Sequence, residues 1–199
     1  MTGTPGVGKT AISKILTEKL DALYINLADV VKTEKFILNE DTKRNTLVAD
    51  LPKLSDKINH IIKNTFRDIV VDGHYAAYVV PSAIVTHVFV LRIDPDILIE
   101  RLKARGYDEK KILENVAAEI LDVCLVEAIK KYSIERVDEI DVTKKIVEDI
   151  VNDILSVITG QRRHNVGVVD WLGRLTEDGR LERIITILDK ELTKISPVV

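Results

Sequence analysis

The feature that most constrains this chain lies in its first ten residues. Positions 3–10 read Gly-Thr-Pro-Gly-Val-Gly-Lys-Thr, which has the G-x-x-x-x-G-K-T spacing of a phosphate-binding P-loop. An ordinary glycine turn before a helix is the alternative interpretation. It is disfavoured because every fixed position matches and an amphipathic stretch, Lys9–Leu20, follows directly. The chain is therefore expected to hold a phosphate-bearing ligand at its N-terminal end.

Each fixed position of this motif supplies a different group to the ligand. Gly6 and Gly8 allow backbone conformations and close approaches that a side chain would block. Lys9 supplies a positive charge for the β- and γ-phosphates, and the hydroxyl of Thr10 suits Mg²⁺. The following helix directs its N-terminal partial positive charge at the same anion.

The segment before the loop is unusually short. A P-loop normally follows a buried parallel strand of about five or six residues, but only Met1 and Thr2 precede Gly3. We therefore expect the first strand of the sheet to be largely missing from this chain. Either the start is truncated, which we favour, or another segment fills that place.

Composition narrows the class of protein. The 199 residues, 46% of them hydrophobic and 31% charged, suit one α/β domain with a small appendage. A net charge of −3 argues against broad nucleic-acid binding, although a local basic patch could still contact RNA. The single cysteine, Cys124, excludes an internal disulfide and suits a cytoplasmic protein. No apolar stretch reaches the roughly 18 residues of a membrane span, so no membrane association is expected.

Helical and strand periodicities alternate along the chain, which predicts a parallel sheet flanked by helices. The expected strands cover residues 22–27, 68–72, 87–94 and 136–141, and the expected helices cover 9–20, 94–106, 108–132, 144–158 and 181–192. Residues 28–65 resemble a polar, helical insert, and residues 161–173 resemble a loop. We predict one kinase-sized domain over residues 1–159 and a C-terminal extension with a helix over 160–199.

Two polar residues follow the expected strand at 68–72. Asp72 lies where a P-loop protein holds Mg²⁺, usually through water. An Asp-Gly turn is the alternative, and the metal site is favoured because a P-loop accompanies it. His74 lies close enough to reach the γ-phosphate region and orient a water, although a lone histidine is more often a polar loop residue.

Phosphoryl transfer also needs cations, and three arginines are candidates. Arg92 ends an apolar strand at the expected ligand edge, and Arg101 and Arg105 share one face of the next helix. A solvated helix face is the alternative for both, and it is favoured more for Arg101. The chain has no N-K-x-D motif of GTPases, and Asp72-Gly73 replaces the Asp-Glu of ring-type motor ATPases. A small kinase fits best.

Taken together, several segments resemble a known family: 3–10 (GTPGVGKT), 24–26 (YIN), 70–74 (VVDGH), 89–94 (FVLRID), 101–111 (RLKARGYDEKK), 114–115 (EN) and 119–123 (EILDV). They resemble the atypical adenylate kinases of archaea and eukaryotes, of the isoenzyme-six type. The eukaryotic members of that family are nuclear ATPases of ribosome maturation. The resemblance covers about residues 1–158.

The resemblance implies a nucleoside monophosphate kinase-like P-loop fold and the reaction of ATP with AMP to give 2 ADP, with Mg²⁺. It also implies ATPase activity and binding of a small-subunit ribosomal protein during rRNA maturation. The implied triphosphate-binding residues are Gly3, Gly6, Val7, Gly8, Lys9, Thr10 and Ala11. Arg105 would reach the ATP phosphates, and Lys144 would lie near the adenine.

The family pattern also implies a monophosphate-binding insert at about 26–50 and a short lid at about 104–114. The insert has no arginine where the family often has one, so Lys53 or Arg44 would substitute. Two other functions stay open: an ATP-hydrolysing assembly switch with incidental kinase activity, and a small-metabolite kinase on the same scaffold.

Overall fold

The computed structural model describes residues 1–41 and 46–186. The strands in chain order are β1 (Leu23–Asn26), β2 (Ile37–Asp41), β3 (Thr46–Ala49), β4 (Ile69–Asp72), β5 (Val88–Arg92) and β6 (Val137–Asp141). The α-helices are α1 (Lys9–Leu20), α2 (Leu27–Thr33), α3 (Leu51–Lys63), α4 (Ala76–Val79), α5 (Pro95–Ala104), α6 (Glu109–Ile120), α7 (Val123–Tyr132), α8 (Val147–Ile158) and α9 (Trp171–Glu177). Residues 181–186 are also helical.

The main sheet consists of two parallel pairs that the N-terminus joins. β1 pairs with β4 and β5 pairs with β6, both in parallel. The Thr2 N–H donates to Phe89 O at 2.9 Å, and the Leu91 N–H donates to Thr2 O at 3.0 Å. On the other side, the Met1 amino group donates to Val71 O at 2.9 Å. Residues 1–2 therefore lie between β4 and β5, at the centre of the sheet.

A cavity of about 460 Å³ continues from residues 1–2 between the same two strands. Val71 of β4 and Phe89 of β5 line it, with Leu16 and Leu20 of α1 above. It occupies the place that the body of a central strand takes in a parallel α/β sheet. Met1 and Thr2 lie at one end of this place, bonded to β4 and β5.

Helices cover both faces of the sheet, so the core has two layers of side chains. On one face α1, α5, α6, α8 and α9 pack together with Leu91 of β5 and Ile140 of β6. On the other face α2, α3 and α4 pack on β1 and β4, and α7 packs on Val90 and Val137. Neighbouring residues of β5 thus face opposite layers, as a strand that is buried on both faces requires. In the described ranges, no helix is long and apolar enough to cross a membrane.

The structure differs from the predicted elements in three places. The insert that was expected to be helical contains an antiparallel hairpin, β2–β3, whose cross-strand pairing has no signal in helical periodicity. The helix expected over residues 108–132 is interrupted by Asp122, whose φ is 56° and whose carboxylate accepts from Arg92. The segment expected to be a loop contains the start of α9, where Asp170 accepts from the Gly173 N–H. The division into residues 1–159 and 160–199 stays a prediction.

Candidate active site

The P-loop is held in its shape by glycines that no other residue can replace without strain. Gly3, Gly6 and Gly8 have φ angles of 133°, 100° and 103°, in a region that L side chains rarely adopt. A Cβ on Gly3 would lie 2.5 Å from Leu91 O, and one on Gly6 would lie 2.9 Å from the Leu98 Cδ1. The loop therefore packs its backbone directly against β5 and α5, and Gly8 begins α1 as its N-cap.

Lys9 folds back over this loop. Its Nζ donates to Gly3 O at 2.8 Å and to Thr4 O at 3.0 Å. Burial lowers the pKa of Lys9, and the positive charge of Arg105 lowers it further, while the carboxylate of Asp72 opposes both. The ammonium group thus lies at the loop, where phosphate oxygens would replace the two carbonyl groups as its partners.

The other predicted residues of the loop point in different directions. Thr10 and Ala11 are exposed on the first turn of α1, whose N-terminal N–H groups are free to meet an anion. The side chain of Val7 is buried in the core, so only its backbone could face a ligand. The roles assigned to these residues stay predictions.

Asp72 is an acidic group beside the loop, and three donors hold one of its oxygens. Its Oδ2 accepts from Thr10 Oγ1 at 2.8 Å, from the Tyr24 hydroxyl at 2.9 Å and from Asn26 Nδ2 at 3.0 Å. Its other oxygen, Oδ1, is buried and has no hydrogen-bond partner among the described residues. An unpartnered buried carboxylate oxygen is costly, so this atom is expected to meet a cation or a water that a cation holds.

These contacts fit a magnesium site of the P-loop type. Mg²⁺ keeps most of its waters and takes one or two protein oxygens together with substrate phosphates, and here Thr10 and Asp72 offer those oxygens. Within residues 1–41 and 46–186, no group of three or more His, Cys, Asp or Glu side chains could hold a metal by itself. The site therefore suits a metal that a nucleotide brings.

Sequence reasoning missed the two residues that orient Asp72. Tyr24 and Asn26 were noted only as part of a motif, without a role. The parallel register pairs Asn26 with Asp72, so both residues end neighbouring strands at the same edge. The sequence did offer one signal for them, because both lie near the end of a predicted strand and ligands bind at the carboxyl edge of a parallel sheet.

His74 lies beyond Asp72, with its ring against Tyr75 at a centroid separation of 3.7 Å. Burial lowers the pKa of His74 to about 4, and the charge of Lys9 acts in the same direction, while Asp72 opposes it. The imidazole is therefore neutral near pH 7, so one of its ring nitrogens can accept a hydrogen bond.

The three candidate arginines have different surroundings. Arg101 lies against the P-loop, with its Nη1 donating to Gly6 O at 3.4 Å. Arg105 is exposed as the C-cap residue of α5, within electrostatic range of Lys9. The preference for Arg105 over Arg101 thus missed a residue that already contacts the loop, because helical spacing does not show which face meets the P-loop.

The expectation that Arg92 faces the ligand is wrong. Its side chain is only 1% exposed and donates to Glu119, Asp122 and Glu139. Burial by itself would lower the pKa of Arg92, but the carboxylates of Glu119 and Asp122 outweigh it and raise the pKa. The guanidinium is therefore part of a buried ion cluster and is not presented to phosphate.

Comparison with known proteins agrees with this geometry. A protein-family model described as an AAA domain matches residues 1–122. The chain is 43% identical to a protein of Methanocaldococcus jannaschii named "Putative adenylate kinase", over 86% of this chain and 90% of that one. Proteins with the same name from Thermococcus kodakarensis and Pyrococcus furiosus are 42% and 40% identical, over 86% of this chain and 90% and 89% of theirs.

This chain belongs to that archaeal adenylate kinase family. The predicted resemblance is confirmed, and so is the P-loop kinase fold. A gluconokinase from Sinorhizobium meliloti superimposes with a TM-score of 0.51 at 15% identity, over 80% of this chain and 90% of the other. This likeness concerns the fold alone. The relatives' names support a phosphotransferase. The exclusion of a ring-type motor ATPase stays a prediction.

The segments predicted to bind the acceptor and to form the lid contain short helices, a hairpin and a tight connection. The insert at 26–50 contains α2 and the β2–β3 hairpin, and Asn26 caps α2 by accepting from the Asp29 N–H. Lys53 pairs with Asp50 at 3.0 Å and is largely exposed, while Arg44 lies outside the described residues. The predicted lid at 104–114 spans the end of α5, the short connection over 105–108 and the first part of α6, with Gly106 at φ 73°.

Lys144 lies apart from the phosphate loop. It lines a cavity of about 650 Å³ with Thr143, Trp171 and Arg180, and the P-loop does not contribute to that lining. Its predicted contact with the adenine stays a prediction.

Proposed function

We propose that this protein transfers the terminal phosphoryl group of ATP to AMP or another nucleoside monophosphate, producing ADP, with Mg²⁺ as cofactor. The observation that carries the proposal is the buried Oδ1 of Asp72, which no described residue hydrogen-bonds. It lies beside a P-loop whose Thr10 hydroxyl is 2.8 Å from the other carboxylate oxygen. A carboxylate with one oxygen fixed and one available suits a metal–nucleotide complex.

The residues divide the work of phosphoryl transfer by position. The backbone of Gly3 to Gly8 and the first turn of α1 receive the β- and γ-phosphates, and Lys9 exchanges its carbonyl partners for phosphate oxygens. When bound, Mg²⁺ offsets negative charge on the β- and γ-oxygens. Arg101, which donates to Gly6 O, and Arg105, which is within electrostatic range of Lys9, supply further positive charge. His74 orients the attacking group or a water near the γ-phosphate.

The identity of the acceptor is supported by the names of the relatives and by the position of the insert. The insert begins at Asn26, whose amide also holds Asp72, so an acceptor bound there lies beside the metal site. Of the two cations predicted to contact the acceptor, Lys53 lies among the described residues, and AMP is the acceptor we expect. A panel of small metabolites offered as acceptors distinguishes this proposal from a small-metabolite kinase.

The central experiment measures ADP formation from ATP and AMP with purified protein. Asp72→Asn keeps the shape of the side chain and removes its charge, and we expect kcat to fall by about a hundredfold or more, as when one preorganised electrostatic contact is lost. Lys14→Ala, at an exposed position on α1, the helix that follows the P-loop, is the control and should retain the wild-type rate. An Asp72→Asn variant with wild-type kcat would overturn the proposal.

Hydrolysis of ATP is a second candidate activity, and the short connection over 105–108 favours it, since a small lid excludes water poorly. In this case the protein acts as an assembly switch that binds a small-subunit ribosomal protein during rRNA maturation in the cytoplasm, with at most indirect RNA contact. Phosphate release without AMP tests this alternative. Release that exceeds AMP-dependent ADP formation, and that rises with small-subunit proteins, would support the switch over the kinase.

A further inference from the structure

One buried carboxylate connects the P-loop to the C-terminal part of the chain. The side chain of Glu119, on α6, is 1% exposed. Its Oε1 accepts from Arg92 Nε at 2.8 Å, from the Ile93 N–H at 3.2 Å and from Trp171 Nε1 at 3.1 Å. Its Oε2 accepts from the hydroxyl of Thr4 in the P-loop.

The hydroxyl of Thr4 orients the part of the loop that Lys9 contacts. Thr4 is buried, with 1% of its surface exposed. Its carbonyl oxygen accepts from Lys9 Nζ at 3.0 Å and from the Val7 N–H at 3.4 Å. Because its side chain is bonded to Glu119 and its carbonyl to Lys9, a shift of Glu119 moves the partner of the phosphate-binding lysine.

The other end of the connection is a segment that we call the strap, residues 162–171. The N–H groups of Gly167 and Val168 each donate to Glu139 Oε2 at 2.8 Å, while Arg92 Nη1 donates to Oε1 of the same carboxylate. Trp171, only 2% exposed, ends the strap with its bond to Glu119. The strap therefore supplies donors to the two buried carboxylates that share Arg92.

Charge explains why these donors matter. Among the described residues, Arg92 is the cation that pairs with two fully buried carboxylates, Glu119 and Glu139, and with a partly exposed one, Asp122. One cation cannot offset all of them, and a buried carboxylate that lacks donors is strongly disfavoured. The N–H groups of the strap complete the set, so the geometry of Glu119 depends on the strap being docked.

We propose that Glu119 is a positioning residue for the P-loop and that docking of the strap through Trp171 sets the affinity for nucleotide. The inference rests on the nucleotide binding proposed above and adds a regulatory contact to the same site. Undocking the strap removes one donor from Glu119, lets Thr4 turn and loosens the carbonyl cage around Lys9.

Two substitutions test the proposal at opposite ends of the connection. Thr4→Val removes the hydroxyl and keeps the shape, whereas Thr4→Ser keeps the hydroxyl, and Trp171→Phe removes the indole donor. We expect Thr4→Val to weaken ATP binding by about tenfold, as a small misplacement of binding groups does, with Trp171→Phe in the same direction and Thr4→Ser near wild type. The double variant should bind no more weakly than Thr4→Val, because both changes act through one carboxylate.

Calorimetry of ATP binding together with Tm without nucleotide separates positioning from simple stability. Tyr132→Phe is the matched control, because the buried Tyr132 hydroxyl donates to Ala76 O at 2.7 Å and to Val80 O at 3.0 Å, in another part of the core. It should lower Tm and leave the Kd for ATP unchanged. If Thr4→Val and Trp171→Phe lower Tm but bind ATP like wild type, positioning is refuted and the proposed function stands. If the wild type binds no ATP, both are refuted.

Discussion

The substitution Gly3→Ala adds one methyl group at the point where the P-loop crosses the sheet. Gly3 has a φ of 133°, and a Cβ there would lie 2.5 Å from Leu91 O and 3.3 Å from Leu91 N. These are backbone atoms of β5, which cannot turn away as a side chain could. The methyl group therefore has to displace the loop from the strand.

The cost can be worked out from these contacts. An L side chain in a sparsely populated backbone region costs about 1–3 kcal/mol. Displacement also weakens the two hydrogen bonds between Thr2 and β5, Thr2 N–H to Phe89 O and Leu91 N–H to Thr2 O, each worth about 0.5–1.5 kcal/mol. Gly3→Ala should thus lower the free energy of unfolding by about 2–6 kcal/mol, a large share of the roughly 5–15 kcal/mol of a typical domain.

Urea unfolding followed by the fluorescence of Trp171, the only tryptophan, measures this loss. Gly106→Ala is the matched control because Gly106 also has a positive φ, of 73°, but a Cβ there would meet nothing within 4 Å. The free energy of unfolding of the control should fall only by the cost of placing an L side chain in a left-handed backbone conformation, about 1–2 kcal/mol. If Gly3→Ala loses no more than Gly106→Ala, the close approach of loop and strand plays no part and the reasoning is refuted.

Three further outcomes follow from other parts of the molecule. Fusing about six apolar residues, the length of a strand, ahead of Met1 should fill the 460 Å³ cavity and replace an amino group whose pKa burial lowers to about 6. The melting temperature Tm should therefore rise by several degrees. An equal rise with a Gly-Ser fusion of the same length would contradict this prediction. Burial, and to a smaller extent His164, lower the pKa of His87, so the unfolded chain binds more protons and stability should fall as the pH drops below 6.5. Urea unfolding at several pH values should show a shallower slope for His87→Asn, and an unchanged slope would refute the assignment. Burial raises the pKa of Cys124 from 9.0 to about 11, so an aromatic disulfide reagent should react about a hundredfold more slowly with the folded protein than with the protein in urea. Comparable reaction rates would show that the folded protein does not shield the thiol.

Local patterns were sufficient for much of the fold and for the phosphate end of the site. The helix Lys9–Leu20 has its predicted bounds, since an amphipathic stripe after a glycine loop has few other solutions. Thr10 and Asp72, each predicted from its local pattern to face Mg²⁺, are in contact, because both lie at the carboxyl edge of a parallel sheet. Their role as magnesium ligands stays a prediction.

Elements that depend on contacts between segments, and not on the periodicity of one segment, were missed. The β2–β3 hairpin depends on cross-strand pairing, and the interruption at Asp122 depends on Arg92, 30 residues away. The strand-end position of Arg92 favoured a phosphate contact, yet its guanidinium is enclosed by carboxylates of α6 and β6. A single sequence does not show which of several charges will meet in the core.

The amino-acid sequence by itself determined the P-loop, the helix that follows it, the acidic residue at the end of β4 and the family, because each depends on local patterns of residue types. Only the tertiary structure decided that Met1 and Thr2 occupy the centre of the sheet beside a cavity, and that Glu119 connects Thr4 to Trp171. These contacts join segments up to 115 residues apart, and only the packing of helices on both faces of the sheet brings such segments within hydrogen-bonding distance.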